Sequence, residues 1–152
     1  MKFCCDNLPI EHHSSVVVNY HPALKLSTRN NISSLKNNYN FTFSEKSFSE
    51  LIVEAGLVIS NISSACVESL AFGVPVIILQ GGSAINQNPI PNTIDKNIWD
   101  ECDNHTDFNT AFTRLYIEKN IEEQSNAAKL IRKEFFEPVS KKSVNHFLGL
   151  NN

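Results

Sequence analysis

The chain has 152 residues, 41% of them hydrophobic and 19% charged, which suits one globular domain with a sizeable core. Its formal net charge of -3 disfavours a nucleic-acid or anionic-membrane partner by bulk attraction, although a local cationic pocket for one phosphate remains compatible with it. The N-terminal stretch MKFCCDNLPI has no apolar core of signal-peptide length, and no apolar run reaches the length of a membrane helix, so the expectation is a cytoplasmic protein without a transmembrane segment.

Residues 1–14 read as a lead-in and residues 15–150 as a single domain. The first strand is expected at residues 16–20, where Val16, Val17 and Val18 form the continuous apolar run of a strand buried in a parallel sheet. It ends at His21 and Pro22, since proline has no N–H for a ladder. Residues 23–38 are polar and weakly periodic, a short irregular helix at most. Residues 39–43 alternate aromatic and polar side chains, a strand pattern. Ser47 and Glu50 have the spacing of a capping box, opening a helix with Phe48, Leu51, Ile52 and Ala55 on one face and Gly56 at its end.

Residues 57–79 are the most informative stretch. An apolar strand (57–60) leads into a small polar turn (61–64), a helix (65–72), Gly73, and a second apolar strand (74–79). A loop over 80–93 follows, with Gly81, Gly82, Pro89 and Pro91, and then one short strand around 97–100. A helix from Thr106 would bury Phe108, Ala111, Phe112 and Leu115. Another over 122–136 would bury Ala127, Ala128, Ile131 and Phe135. A last one, starting near Ser140, would use Val144, Phe147 and Leu148. Strands alternating with helices predict an α/β fold, Rossmann-like, with a mainly parallel sheet and helices on both faces.

Ligands of such sheets bind outside the carboxyl ends of the strands. Three groups fall there: His21 with Pro22, the turn holding Asn61, Ser63 and Ser64, and the Gly81–Gly82 loop. The turn opens a helix, whose first N–H groups lack intrahelical partners and whose dipole favours an anion, so a phosphate is the natural guest. Only one of Ser63 and Ser64 can be the helix cap, which leaves a hydroxyl for other work. His21 would donate to a phosphate or protonate a leaving group, or else bond a nearby carbonyl as an ordinary strand-end histidine. Glu68 would complement the helix dipole or accept from ribose hydroxyls. Gly81 and Gly82 form an ordinary turn or allow close backbone approach to a sugar or base.

The chain lacks G-x-G-x-x-G, G-x-x-x-x-G-K-[ST] and G-x-S-x-G, which argues against an ordinary dinucleotide fold, a P-loop and a nucleophile elbow. Cys4, Cys5, Cys66 and Cys102 show no disulfide framework, and Cys4 and Cys5 with His12 and His13 match no common zinc spacing. No cofactor or metal is expected. Four sequons, at Asn31, Asn40, Asn61 and Asn104, read as chance in a chain without a secretion signal.

VNYHP, then VISNISSACVESLAFGVPVIIL, then NQNPIP, resembles the C-terminal half of two-domain, GT-B type glycosyltransferases. The likeness is to bacterial enzymes of surface-carbohydrate biosynthesis, the sialyltransferase-like and Kdo-transferase-like groups, and extends to the tail EFFEPVSKKSVNHFL. It implies a donor nucleotide-sugar-binding domain acting in lipopolysaccharide or capsule synthesis, in the cytoplasm or at the inner face of the membrane. His21, with Pro22 beside it, would contact the donor phosphate and ease departure of the nucleotide. Asn61, Ser63 and Ser64 would form the phosphate turn, Glu68 would hold the ribose, and Gly81 and Gly82 the base or sugar. The likeness to CMP-sugar users points to CMP. Such enzymes carry the acceptor site and usually the catalytic base in an N-terminal domain, which Asp95 and Asp100 would not replace. The resemblance therefore implies half an enzyme, partnered by a separate acceptor-binding polypeptide or cut from a longer protein. A nucleotide-sugar 2-epimerase-like domain and a non-catalytic subunit are the alternatives.

Overall fold

The central β-α-β unit forms because its residues agree at every level. A computed structural model describes residues 1–21, 23–61, 63–80, 88–136, 138 and 140–148. In it, strand β3 (Val58–Ser60) feeds helix α4 (Ala65–Ala71), which returns into strand β4 (Val76–Leu79). The helix stops at Phe72 because Gly73 takes φ +81°, a conformation that costs glycine nothing. The Val74 N–H then reaches the Ser69 carbonyl and the Gly73 N–H the Leu70 carbonyl, both at 3.0 Å, which closes a Schellman turn. Within α4, Ser69 is fully buried and satisfies its hydroxyl by donating to the Ala65 carbonyl at 2.6 Å.

Strand β5 (Trp99–Cys102) pairs with β4, giving a parallel three-stranded sheet in the order β3-β4-β5. The period-two alternation of β4 sorts its side chains between two cores. Val76 and Ile78 pack with Cys66, Leu70, Trp99 and Ile131, under α4 and helix α6 (Ile121–Phe135). Ile77 packs on the opposite face with Phe108, Ala111, Phe112 and Leu115, supplied by helix α5 (His105–Phe112) and the π-helical turn that continues it through Ile117. Arg114 ties that turn to the sheet, bonding the Asp100 carboxylate at 2.6 Å and the Lys96 carbonyl at 2.7 Å.

A second sheet holds β1 (Val17–Asn19) and β2 (Thr42–Ser44), also parallel, joined through helix α2 (Leu26–Ser34). Every described strand pairing is thus parallel, and the α/β class is as expected. The expected single sheet is divided into two, however, because no ladder joins β1 to β3. This division explains why Val17 is 51% exposed although its valine run reads as a buried strand.

Helix α3 (Phe48–Ile52) opens with the predicted capping box of Ser47 and Glu50. It ends four residues before Gly56, where an added Cβ would lie 3.0 Å from the Tyr116 ring. The N-terminal residues join the core: helix α1 (Lys2–Asn7) buries Cys4 and Cys5, and Phe3 meets Phe108 edge-on at 5.7 Å. Of the C-terminal residues expected to pack, Ala128 and Ile131 are buried, whereas Phe135 is partly exposed. Val144, on helix α7 (Lys141–Phe147), and Leu148 just beyond it are exposed.

Candidate functional site

A cleft of about 720 Å³ lies between β1 and β3, lined by every residue of both strands. That volume falls in the range of small-molecule sites, ~300–1,000 Å³. At the carboxyl ends of the two strands its lining runs into His21 on one side and into Asn61 and Ser63 on the other. His21 and Asn61, forty residues apart in the sequence, thus line one cleft.

Local hydrogen bonds set the chemistry of each group. The Ala23 N–H donates to His21 Nδ1 at 3.2 Å. A backbone amide can only donate, so Nδ1 is the acceptor and the neutral ring carries its proton on Nε2. His21 therefore offers an N–H donor from an exposed ring. Across the cleft, Ser63 Oγ accepts from the Ala65 N–H at 3.3 Å, and its carbonyl accepts from the Cys66 N–H at 3.0 Å. With Oγ accepting, the hydroxyl proton is left to donate. Cys66 donates its thiol to the Asn61 carbonyl at 3.6 Å, which fixes the turn from beneath.

The structure separates the two serines. Ser63 lines the cleft, whereas Ser64 is exposed at the helix start, makes no side-chain capping bond and is not among the lining residues. Glu68 is also exposed, in the first turn of α4, and lies away from the lining. Pro22, Gly81 and Gly82 lie outside the described residues. The two ends of that loop are tied together, since the side chains of Gln80 and Asn88 both donate to the Glu101 carboxylate on β5.

Arg29, on α2, is not itself a lining residue, but its side chain is tied to residues that line the cleft. Its Nε donates to the Leu24 carbonyl at 3.2 Å and its Nη2 to the His21 carbonyl at 3.5 Å, and the guanidinium carbon lies 5.4 Å from the centre of the Tyr20 ring.

The thiols belong to the core. Burial pushes Cys4 up to about 11, and burial with nearby carboxylates, Asp100 foremost, pushes Cys102 up to about 12. Burial raises Cys66 as well. All three are held as neutral thiols at neutral pH, far from the electropositive setting that activates a nucleophile. Among the described residues no group of three or more His, Cys, Asp or Glu is placed to hold a metal ion, and no helix is long and apolar enough to cross a membrane.

No protein-family model matches the chain, and no curated protein or solved structure does either.

Proposed function

We propose that the chain is a donor nucleotide-sugar-binding domain, half of a GT-B architecture, serving a glycosyltransferase of surface-polysaccharide biosynthesis. One observation carries this reading: His21, Asn61 and Ser63, which follow the carboxyl ends of β1 and β3, line a single cleft of about 720 Å³. The His21 Nε2–H and the Ser63 hydroxyl are donors on two residues that line the same cleft, a set suited to phosphate oxygens. When the glycosidic bond to the donor breaks, negative charge builds on the departing nucleotide. Fixed donors already aimed at that charge stabilise it more than mobile water does. The acceptor and the base that activates it are supplied by a second domain.

The test is a ligand panel of CMP, UDP, GDP and their sugars, read by thermal shift. A ligand bound only by the folded state adds about 2.7 kcal/mol of stability at one hundred times Kd. Stabilisation by a nucleotide, and consumption of its sugar only with an acceptor-bearing partner, supports the reading. Conversion of the sugar to an epimer without acceptor would replace it with epimerase chemistry, and indifference to every nucleotide would remove it.

A further inference from the structure

The cleft separates two sheet edges. Among the described residues its lining takes in all of β1 and β3, none of β2 and only Leu79 of β4. The Thr42 N–H donates to the Val16 carbonyl at 3.0 Å, and the Val58 N–H donates to the Pro75 carbonyl at 2.9 Å. Backbone groups of successive strand residues point to opposite edges. Val16 and Val18 therefore serve the ladder to β2, and Val58 and Ser60 the ladder to β4. The N–H and C=O groups of Val17, Asn19 and Ile59 lie on the other edges, toward the cleft, and among the described residues no ladder joins β1 to β3. We propose that this cleft is the open state of a hinge. In the closed state β1 and β3 pair directly and in parallel, converting the two sheets into one of five strands in the order β2-β1-β3-β4-β5.

Three observations carry the closed state. First, the connection suits it. Residues 45–57, which hold α3, separate β2 from β3. Parallel strands of one sheet need a crossover of about a dozen residues or more, usually helical, and β1 already runs parallel to β2. Second, the small sheet can swing as one body. Beyond the ladder, the Asn19 side-chain amide donates to the Ser44 and Lys46 carbonyls at 3.3 and 2.9 Å, so β1 brings β2 with it. The stretches on either side of α3 take up the movement. Third, the two edges complement each other. Each presents backbone donors and acceptors outside any ladder, and the strands carry Val17, Val18, Val58 and Ile59, with Val17 51% exposed. Edges of this kind are templates for pairing, and here each edge supplies what the other lacks. Closure also brings His21 and Asn61, which follow β1 and β3, to the same end of one sheet.

The experiment uses the whole chain, isotope-labelled for nuclear magnetic resonance, alone and with CMP, UDP or GDP. Hydrogen exchange is followed at the edge amides of Val17, Asn19 and Ile59, with Val18 and Ser60 as references already inside ladders. Nuclear Overhauser contacts are sought between backbone protons of residues 17–19 and 57–60. In at least one of these conditions the edge amides are expected to exchange about tenfold or more slowly than fully exposed amides, with contacts in a parallel pattern. Edge amides that exchange as fast as exposed ones in every condition overturn the closed state. So does protection without contacts between β1 and β3, which marks something else covering the edges, and so do contacts in an antiparallel pattern. The chain without ligand is one arm of the test. Failure of every nucleotide to bind therefore removes the nucleotide reading, while the ligand-free spectra still decide closure.

Discussion

Replacing Ser63 and Ser64 one at a time separates phosphate binding from helix capping. Ser63 lines the cleft and its hydroxyl proton is left to donate, whereas Ser64 is exposed and lies away from it. A hydrogen bond to a charged oxygen is worth about 1.5–3 kcal/mol, so Ser63→Ala should weaken nucleotide binding about 10- to 150-fold. Its stability cost should be small. The bond that Ser63 Oγ accepts from Ala65 is long, at 3.3 Å, and a lost helix cap typically costs about 1 kcal/mol. Ser64→Ala should change neither quantity by more than about 0.5 kcal/mol, as expected for an exposed side chain with no capping bond. Calorimetric titration with the nucleotide, paired with urea denaturation of each variant, measures both effects. Equal losses of affinity in the two variants, or full affinity in Ser63→Ala, would refute the division of labour between the serines.

Other consequences concern the scaffold. Gly73→Ala should destabilise the domain by roughly 1–2 kcal/mol, through its φ of +81° alone. Crowding adds nothing, because the added Cβ would sit 3.7 Å from Ala128 Cβ; an unchanged urea midpoint would show that α4 ends differently. Ile77→Ala, at a fully buried position in the middle strand, should cost about 2–5 kcal/mol. The buried thiols set an alkaline limit. Their folded pKa values lie above the unfolded value of about 8.5, so their contribution is complete below that pH. It is lost as pH rises toward about 11 for Cys4 and about 12 for Cys102. Denaturation midpoints from pH 7 upward should fall in that window, and a midpoint flat across it would contradict the buried, neutral state of both thiols.

Much of this architecture was legible because local signals were strong. The β3-α4-β4 unit follows from β-branched runs on either side of a helix that ends at a glycine, and α3 from its capping box. The burial of Phe108, Ala111, Phe112 and Leu115 follows from their helical spacing. What was not legible is set by distant contacts. The separation of β1 from β3 depends on edge pairing between segments forty residues apart, which a valine run cannot encode. The entry of Cys4 and Leu8 into the core depends on the α5 aromatics that meet α1. Strand β5 was expected around residues 97–100 but begins at Trp99, because Lys96–Ile98 form a 3-10 turn capped by the Asp95 carboxylate. At the site, the strand-end positions of His21, Asn61 and Ser63 were readable from topology. That Ser64 and Glu68 do not line the cleft, and that Arg29 is tied to the His21 and Leu24 carbonyls, emerges only with the tertiary structure.

The most direct test of a phosphate site shared by the two strand ends is a nuclear magnetic resonance titration of amide-labelled protein with the nucleotide that gives the largest thermal shift. The account predicts that the amides of Tyr20, His21, Asn61 and Ser63 shift together with one common Kd, while those of α6 and α7 stay in place. Shifts confined to one side of the cleft, centred on another surface, or absent at saturating nucleotide would contradict it.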